Sequence, residues 1–342
     1  MQEVIGIRAD ANSEVAMGHM MRCITVAKQM KKIGQRPLFF TADGYALDLL
    51  KRAGMEYRCL NTAWNQMEAE TGKLREELKK AGCRKLLVDS YQATRPYFDA
   101  IKDMVKIVYV DDCFEDVYPV DMIINYNAYY VRFPYKEAYG RKARLLLGTD
   151  YVPLREEFQK AYPQRREKGG ILLSSGGGDA CDALLGILTY VSGDRELGKE
   201  TFHVVVGRFH PSKGELEELA KRNPKIKLHY DVGNMAELMS WCDMAVSAAG
   251  TVLFELCAMQ VPSVFFVSAD NQQYDCEFFA KEERMLFAGD IRQERKECLE
   301  RIGENLKMMR KDEEMRKRMK NALRKVTDGQ GAVRIAEEIR RL

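Results

Sequence analysis

Short, mostly apolar runs alternate with amphipathic segments along most of this chain, and the alternation starts twice. Val4–Arg8, Pro37–Phe40, Lys85–Val88, Ile107–Val110, Met122–Ile124 and Leu145–Leu147 read as strands, with helical patterns such as Met20–Lys32, Thr71–Lys80 and Pro96–Met104 between them. The pattern restarts with Ile171–Ser174, Phe202–Val206, Ile226–Leu228, Met244–Ser247 and Ser263–Val267. Strands apolar on both faces suit a parallel sheet covered by helices. Two such rounds predict an α/β chain of two Rossmann-like, doubly wound domains facing across a cleft. We expect an N-terminal domain over 1–152, a linker over 153–167 carrying Pro153, Pro163 and the start of Arg165-Arg166-Glu167-Lys168, and a C-terminal domain over 168–342. Beyond about residue 290 the tail is rich in Lys, Arg and Glu. It reads as a solvated helical cover over the second sheet; the alternative is a last helix that crosses back to the first domain.

Composition excludes several classes. Lys and Arg total 54 against 51 Asp and Glu, a net charge of +3, which makes no case for nucleic acid or an anionic membrane as the main partner. The longest stretch free of Asp, Glu, Lys and Arg, 256–269, contains Pro262. It falls short of the roughly 20 apolar residues a spanning helix needs, so no membrane insertion is expected. The nine cysteines are odd in number and form no Cys-x-x-Cys, which points to reduced thiols and a cytoplasmic protein rather than a disulfide framework or zinc cluster. The N-terminus lacks the basic-then-apolar order of a signal peptide.

In open α/β sheets ligands bind beyond the carboxyl ends of strands, so the search for function narrows to the residues there. After the first strand comes Arg8-Ala-Asp10-Ala-Asn12-Ser13, then Gly18-His19-Met-Met-Arg22-Cys23. Gly18 permits a tight turn, and His19 falls in the first turn of a helix, where the dipole disfavours an imidazolium and leaves a base. Such a base beside a phosphate-containing ligand suits attack by water on a sugar carbon, while Arg22, one turn on, could meet a ligand anion. The bland reading is a histidine at a helix start with no ligand. Ser174-Ser175-Gly176-Gly177-Gly178-Asp179 could admit an oxyanion to its backbone amides, or be a plain strand-to-helix turn. It is neither Gly-x-Gly-x-x-Gly nor a P-loop, which weakens the nicotinamide and P-loop enzyme classes. Ser247-Ala-Ala249-Gly250-Thr251 repeats the logic, with Glu255 one turn along, able to take two ribose hydroxyls. Tyr91, after Asp89-Ser90, could bond a sugar or pack. Asp111-Asp112 could hold a cation, although a strand-end Asp more often caps a turn. Asn271 and Gln272 could read sugar substituents or cap the following helix.

Assembled, these loops resemble the nucleotide-sugar hydrolases of pseudaminic acid biosynthesis, which remove UDP from UDP-2,4-diacetamido-2,4,6-trideoxy-β-L-altropyranose. That family is related to the glycosyltransferase-B fold and MurG-type transferases, and spore-coat polysaccharide proteins look similar too. The resemblance covers roughly the first 290 residues. Its specific parts are Arg8-Ala-Asp10, Gly18-His19-Met-Met-Arg22-Cys23, Asp89-Ser-Tyr91, Asp111-Asp112, Leu147-Gly148-Thr-Asp-Tyr151-Val-Pro-Leu154-Arg155-Glu-Glu157-Phe158 and Ser247 to Glu255. Met17 stands where the family has a small residue, and Gly178 where Thr or Ala is common.

The resemblance implies His19 as catalytic base, with Asp10, Ser13, Gly18, Arg22, Tyr91, Gly177, Gly178, Asp179, Ala249, Gly250, Thr251, Glu255, Asn271 and Gln272 as the substrate-binding set. It implies a UDP-sugar as the small-molecule partner, no cofactor, no metal and a monomer or weak homodimer. The expected activity is hydrolysis of a UDP-linked diacetamido-trideoxy sugar. The alternative is a glycosyltransferase using a UDP-sugar donor.

Overall fold

The computed structural model describes residues 2–12, 14–15, 17–159, 169–175, 179, 181–207 and 210–342, with Asn271 described by its main chain only. The chain divides into two compact units, one of Met1–Arg155 with Gln330–Leu342, the other of Glu156–Gly329.

In the first unit the elements run β1 (Val4–Ala9), α1 (Gly18–Lys32), β2 (Arg36–Thr41), α2 (Leu47–Arg52), β3 (Glu56–Cys59), α3 (Met67–Ala81), β4 (Lys85–Asp89), α4 (Arg95–Ile101), β5 (Lys106–Val110), β6 (Met122–Asn125), α5 (Tyr135–Tyr139) and β7 (Arg144–Leu147). All neighbouring strands are parallel, in the order β3-β2-β1-β4-β5-β6-β7. The order reverses between β1 and β4, which puts Ala9 beside Asp89 at the strand ends. The central strands are buried on both faces, as their apolar runs require. Leu74 and Leu78 of α3 are fully buried against this sheet, each contributing roughly 1.5–3 kcal/mol of burial. Gly6 permits that packing, since a Cβ there would lie 2.8 Å from Leu86 Cδ1 and 3.3 Å from Leu78 Cδ2.

The second unit runs β8 (Ile171–Ser174), α6 (Ala183–Gly193), β9 (Phe202–Val206), α7 (Lys213–Arg222), β10 (Ile226–Tyr230), α8 (Met235–Ser240), β11 (Met244–Ala248), α9 (Thr251–Met259), β12 (Ser263–Val267), α10 (Gln273–Ala280), β13 (Leu286–Asp290), α11 (Arg295–Lys311) and α12 (Glu313–Leu323). Its parallel sheet has the order β10-β9-β8-β11-β12-β13 and reverses between β8 and β11. Two doubly wound units are what the alternating pattern predicts.

Two edge strands go beyond the predicted set. β3 reads Glu-Tyr-Arg-Cys and is half exposed, and β13 lies half exposed at the other sheet's rim. Neither carries the all-apolar signature of a central strand. The tail also differs from a uniform cover. α11 and α12 stay in the second unit, but α13 (Gly331–Arg341) lies in the first. Its buried Ala332, Ile335, Ala336 and Ile339 follow helical spacing and pack on α1, which buries residues around more than one face and needs a second cover. Arg334 donates to Asp150 O at 2.9 Å, Lys85 donates to Arg340 O at 2.9 Å, and Gly331 sits so tightly on Val152 that a Cβ would collide with its carbonyl oxygen. The linker expected over 153–167 falls largely on 160–168, outside the described residues.

Candidate active site

In the first unit the switch point brings three loops together: the end of β1, the start of α1 and the end of β4. His19 is the second residue of α1, whose first turn carries no acidic residue and no side-chain cap. Its Nδ1 lies 2.6 Å from Asp89 Oδ1, with the histidine side chain 8% and the carboxylate 0% exposed. An Arg22 nitrogen lies 3.0 Å from the same Nδ1. A guanidinium nitrogen can only donate and a carboxylate can only accept, so the shorter contact decides the tautomer: Nδ1–H donates to Asp89. Nε2 is thereby left as the ring's basic position.

Arg22 locks the carboxylate. Its Nε donates to Asp89 Oδ2 at 2.5 Å and a terminal nitrogen donates to Oδ1 at 2.5 Å. The other terminal nitrogen donates to Asp112 Oδ2 at 2.8 Å and to Tyr126 Oη at 2.6 Å. Burial alone would raise the Asp89 pKa; Arg22 and His19 outweigh it and hold the group well below the carboxylate range. Asp112 also accepts from Tyr91 Oη at 2.9 Å and from Asn127 Nδ2 at 2.9 Å. The Tyr91 ring meets His19 edge-on at 4.6 Å and is 50% exposed. The outcome is a histidine braced by a buried carboxylate, an arginine and a tyrosine, an arrangement suited to accepting a proton at Nε2 while Asp89 carries the countercharge.

Several expected ligand residues have partners within the first unit. Arg22, expected to meet an anion, spends every guanidinium nitrogen on Asp89, Asp112 and Tyr126. Asp10 accepts from Arg8 at 2.6 Å with Oδ2 and from Ala42 N at 2.8 Å with Oδ1. Arg8 is fully buried and also donates to both oxygens of Glu70. Asp111 caps a turn, accepting from the Cys113 and Phe114 amides. Ser13 lies outside the described residues; Gly18 opens α1 beside His19, and a Cβ there would meet nothing within 4 Å.

In the second unit, Gly177 and Gly178 also lie outside the described residues. Asp179 faces inward: Oδ1 accepts from Ala183 N at 2.8 Å and Oδ2 from Leu184 N at 2.9 Å and His210 Nε2 at 2.7 Å. The start of α6 therefore already carries a carboxylate. The start of α9 does not. Ala249 is buried, Gly250 holds the cap position without a side-chain bond, Thr251 is exposed, and the first turn has no acidic residue. Among the described residues, the start of α9 has no side-chain cap, which leaves amides for an anion. Glu255 lies one turn along α9. Gln272 Oε1 accepts from the Ser268 and Ala269 amides, so its carbonyl serves as a cap; the Asn271 side chain is outside the description.

Asp89 as partner of His19, and Tyr126 and His210, were not among the predicted binding residues, and Asp112 was considered only for a cation. A signal for Asp89 existed: doubly wound order places the fourth strand beside the first, so a carboxylate ending β4 must approach the loop after β1. All nine cysteines are free, and no helix among the described residues is long and apolar enough to cross a membrane.

The sequence matches the glycosyltransferase family 28 C-terminal domain over residues 175–338. It is 24% identical over 280 residues to a UDP-2,4-diacetamido-2,4,6-trideoxy-beta-L-altropyranose hydrolase of Campylobacter jejuni, covering 80% of this chain and 95% of that protein. It is 22% identical over 309 residues to the spore coat polysaccharide biosynthesis protein SpsG of Bacillus subtilis, covering 83% of each. An uncharacterized protein of Methanocaldococcus jannaschii is 23% identical over 289 residues, or 79% of this chain, which spans 56% of that protein's length. MurG of Acinetobacter baumannii has the same fold, with a TM-score of 0.68 at 14% identity over 99% of this chain and 100% of that one. The chain is therefore similar over most of its length to the UDP-diacetamido-sugar hydrolase and SpsG proteins and has the fold of MurG, and its match to the family 28 C-terminal domain begins in the second unit and runs on into α13.

Proposed function

We propose that this protein hydrolyses a UDP-linked 2,4-diacetamido-2,4,6-trideoxy sugar to UDP and free sugar, a step toward a nonulosonic acid of the pseudaminic type. The observation that carries the reading is the Asp89–His19 contact at 2.6 Å, which dedicates Nε2 to proton acceptance. His19 takes a proton from water, the water oxygen bonds to the anomeric carbon, and the bond from that carbon to the diphosphate oxygen breaks. UDP departs with the electron pair; within the second unit the start of α9, Gly250 and Thr251 without a side-chain cap, suits a diphosphate, and Glu255 one turn along suits a ribose. The carboxylates of Asp89 and Asp112 are each occupied by Arg22, and Asp112 also by Tyr91 and Asn127, which favours a metal-independent reaction.

Turnover without an acceptor is the test. Stoichiometric UDP and free sugar from the UDP-sugar alone, with His19→Ala reduced by about 10²–10⁴ and UDP affinity nearly unchanged, is the expected result. A His19→Ala variant within a few-fold of wild type removes the residue from the mechanism. The family 28 match favours one other reading, a transferase passing the sugar to a hydroxyl acceptor. It is adopted instead if the donor alone is stable and turnover begins only when an acceptor is added.

A further inference from the structure

The last helix reaches the back of the His19 site. Within the first unit α13 runs beside β4, with Ile335 near Asp89 at the carboxyl end of that strand and the Arg340 carbonyl oxygen on Lys85 at its start. A small cavity of about 10 Å³ lies at the Asp89 end, lined by Arg22, Asp89 and Tyr126 and by the apolar Leu87, Pro153 and Ile335. Ile335 is 2% exposed and is the lining residue that α13 supplies. A space of that size is at the lower limit for one water molecule, so the groups around it have almost no room to move.

Room to move matters because His19 Nδ1 has two neighbours that call for opposite tautomers. Asp89 Oδ1 at 2.6 Å can only accept and requires a proton on Nδ1. The Arg22 nitrogen at 3.0 Å can only donate and suits a bare Nδ1, with the ring proton on Nε2. The first arrangement leaves Nε2 able to take a proton; the second blocks it. Arg22 is kept from the ring by its bonds to Asp89, Asp112 and Tyr126, and of these four residues all but Asp112 line the cavity. Cutting Ile335 back to Cβ would open that space to a water molecule, which could accept from Arg22 or Tyr126 in competition with those bonds. Resting on the reading of His19 as the base, we propose that Ile335 is a positioning residue for the imidazole, holding Arg22 on Asp89 so that the ring proton stays on Nδ1.

The test compares wild type, Ile335→Ala, Ile335→Leu and Ile339→Ala as full chains, at a temperature where all are folded. Ile339 is equally buried on the same helix but does not line the cavity, so it reports plain loss of packing. Imidazole ¹⁵N spectra at alkaline pH, with the His19 signals identified by their absence from His19→Ala, read the tautomer without substrate. Wild type and Ile339→Ala carry the proton on Nδ1, Ile335→Ala shows a growing share on Nε2, and the volume-conserving Ile335→Leu restores the wild-type ring. In parallel, kcat for UDP release falls roughly three- to tenfold in Ile335→Ala, following the share of the competent tautomer, while KM stays within about twofold. Should Ile335→Ala not fold, Ile335→Val makes the same comparison with a smaller shift. A wild-type tautomer in the folded Ile335 variant overturns the proposal, and so does an equal shift in Ile339→Ala. A wild type that releases no UDP removes the hydrolase reading, while the ring spectra still decide this one; a wild-type ring already protonated at Nε2 overturns both.

Discussion

Asp89→Asn isolates what the buried carboxylate does for His19, because it keeps the shape and removes one acceptor. In wild type, Asp89 Oδ1 accepts from His19 Nδ1 and from Arg22, while Oδ2 accepts from Arg22 Nε and from the Cys23 thiol at 3.5 Å. An asparagine has one oxygen for these two positions. With the oxygen toward His19, its NH₂ meets Arg22 Nε–H donor to donor; with the oxygen toward Arg22 Nε, its NH₂ forces His19 to accept at Nδ1 and moves the ring proton to Nε2, where it blocks the base. Either arrangement loses the braced geometry, so kcat falls by about 10²–10⁴, the range of a general base, while KM changes by no more than a few-fold. Stability falls too. Removing one partner of a buried ion pair costs about 3–5 kcal/mol, and Arg22's remaining bond to Asp112 places this variant toward the lower end. The assay follows UDP release with matched urea unfolding, at a temperature where both proteins are folded. A folded Asp89→Asn enzyme turning over within tenfold of wild type refutes the role given to Asp89. The same pair predicts a pH effect. Asp89 is held below its unfolded value of about 3.9, so its stabilisation is present above roughly pH 4 and is lost as pH falls further; the Asn variant lacks that part of the slope.

Thr251→Asp puts a charge on the open start of α9: it should stabilise that helix by about 0.3–1 kcal/mol yet abolish detectable UDP binding by calorimetry, and unchanged UDP affinity contradicts the anion site. Asp10→Asn should cost about 1–3 kcal/mol in urea unfolding while KM stays within about twofold, because Asp10 braces Arg8; a large KM effect at wild-type stability returns it to the substrate site. Ile335→Ala, on the helix that returns to the first unit, should cost about 2–5 kcal/mol, and a loss below 1 kcal/mol would mean that α13 is not a fixed cover of α1.

What the sequence disclosed and what it withheld divide along one physical line. Strands such as Leu86–Val88 and Val264–Phe266 are buried on both faces, so their apolar runs alone announce a parallel sheet. β3 and β13 have one side open, and Glu56 or Asp290 can then occupy a strand without penalty and without a signature. The last helix shows the same limit one level up. Its apolar stripe announces that it packs, but the stripe is equally suited to either sheet's helices; only α1, buried on more than one face, reveals where the vacancy lies. Position along a strand end makes His19 and the Gly250–Thr251 turn candidates, because such places are set by topology. It could not separate residues that face outward from those that face one another. Arg22, Asp10 and Asp179 are charged groups at strand ends or helix starts, as a ligand-binding residue would be. Each has its bonding capacity spent on a partner 67, 2 or 31 residues away in the chain. Burying a charge requires a paired neighbour, and for Arg22 and Asp179 the neighbour's distance in sequence hides the pairing. The same requirement supplies the remedy. A charged residue at a strand end is a ligand candidate only after the adjacent strands in the doubly wound order have been searched for the opposite charge. Applied to β1 and β4, that rule brings Asp89 to Arg22 and His19, and it accounts for where the arginine's nitrogens are engaged.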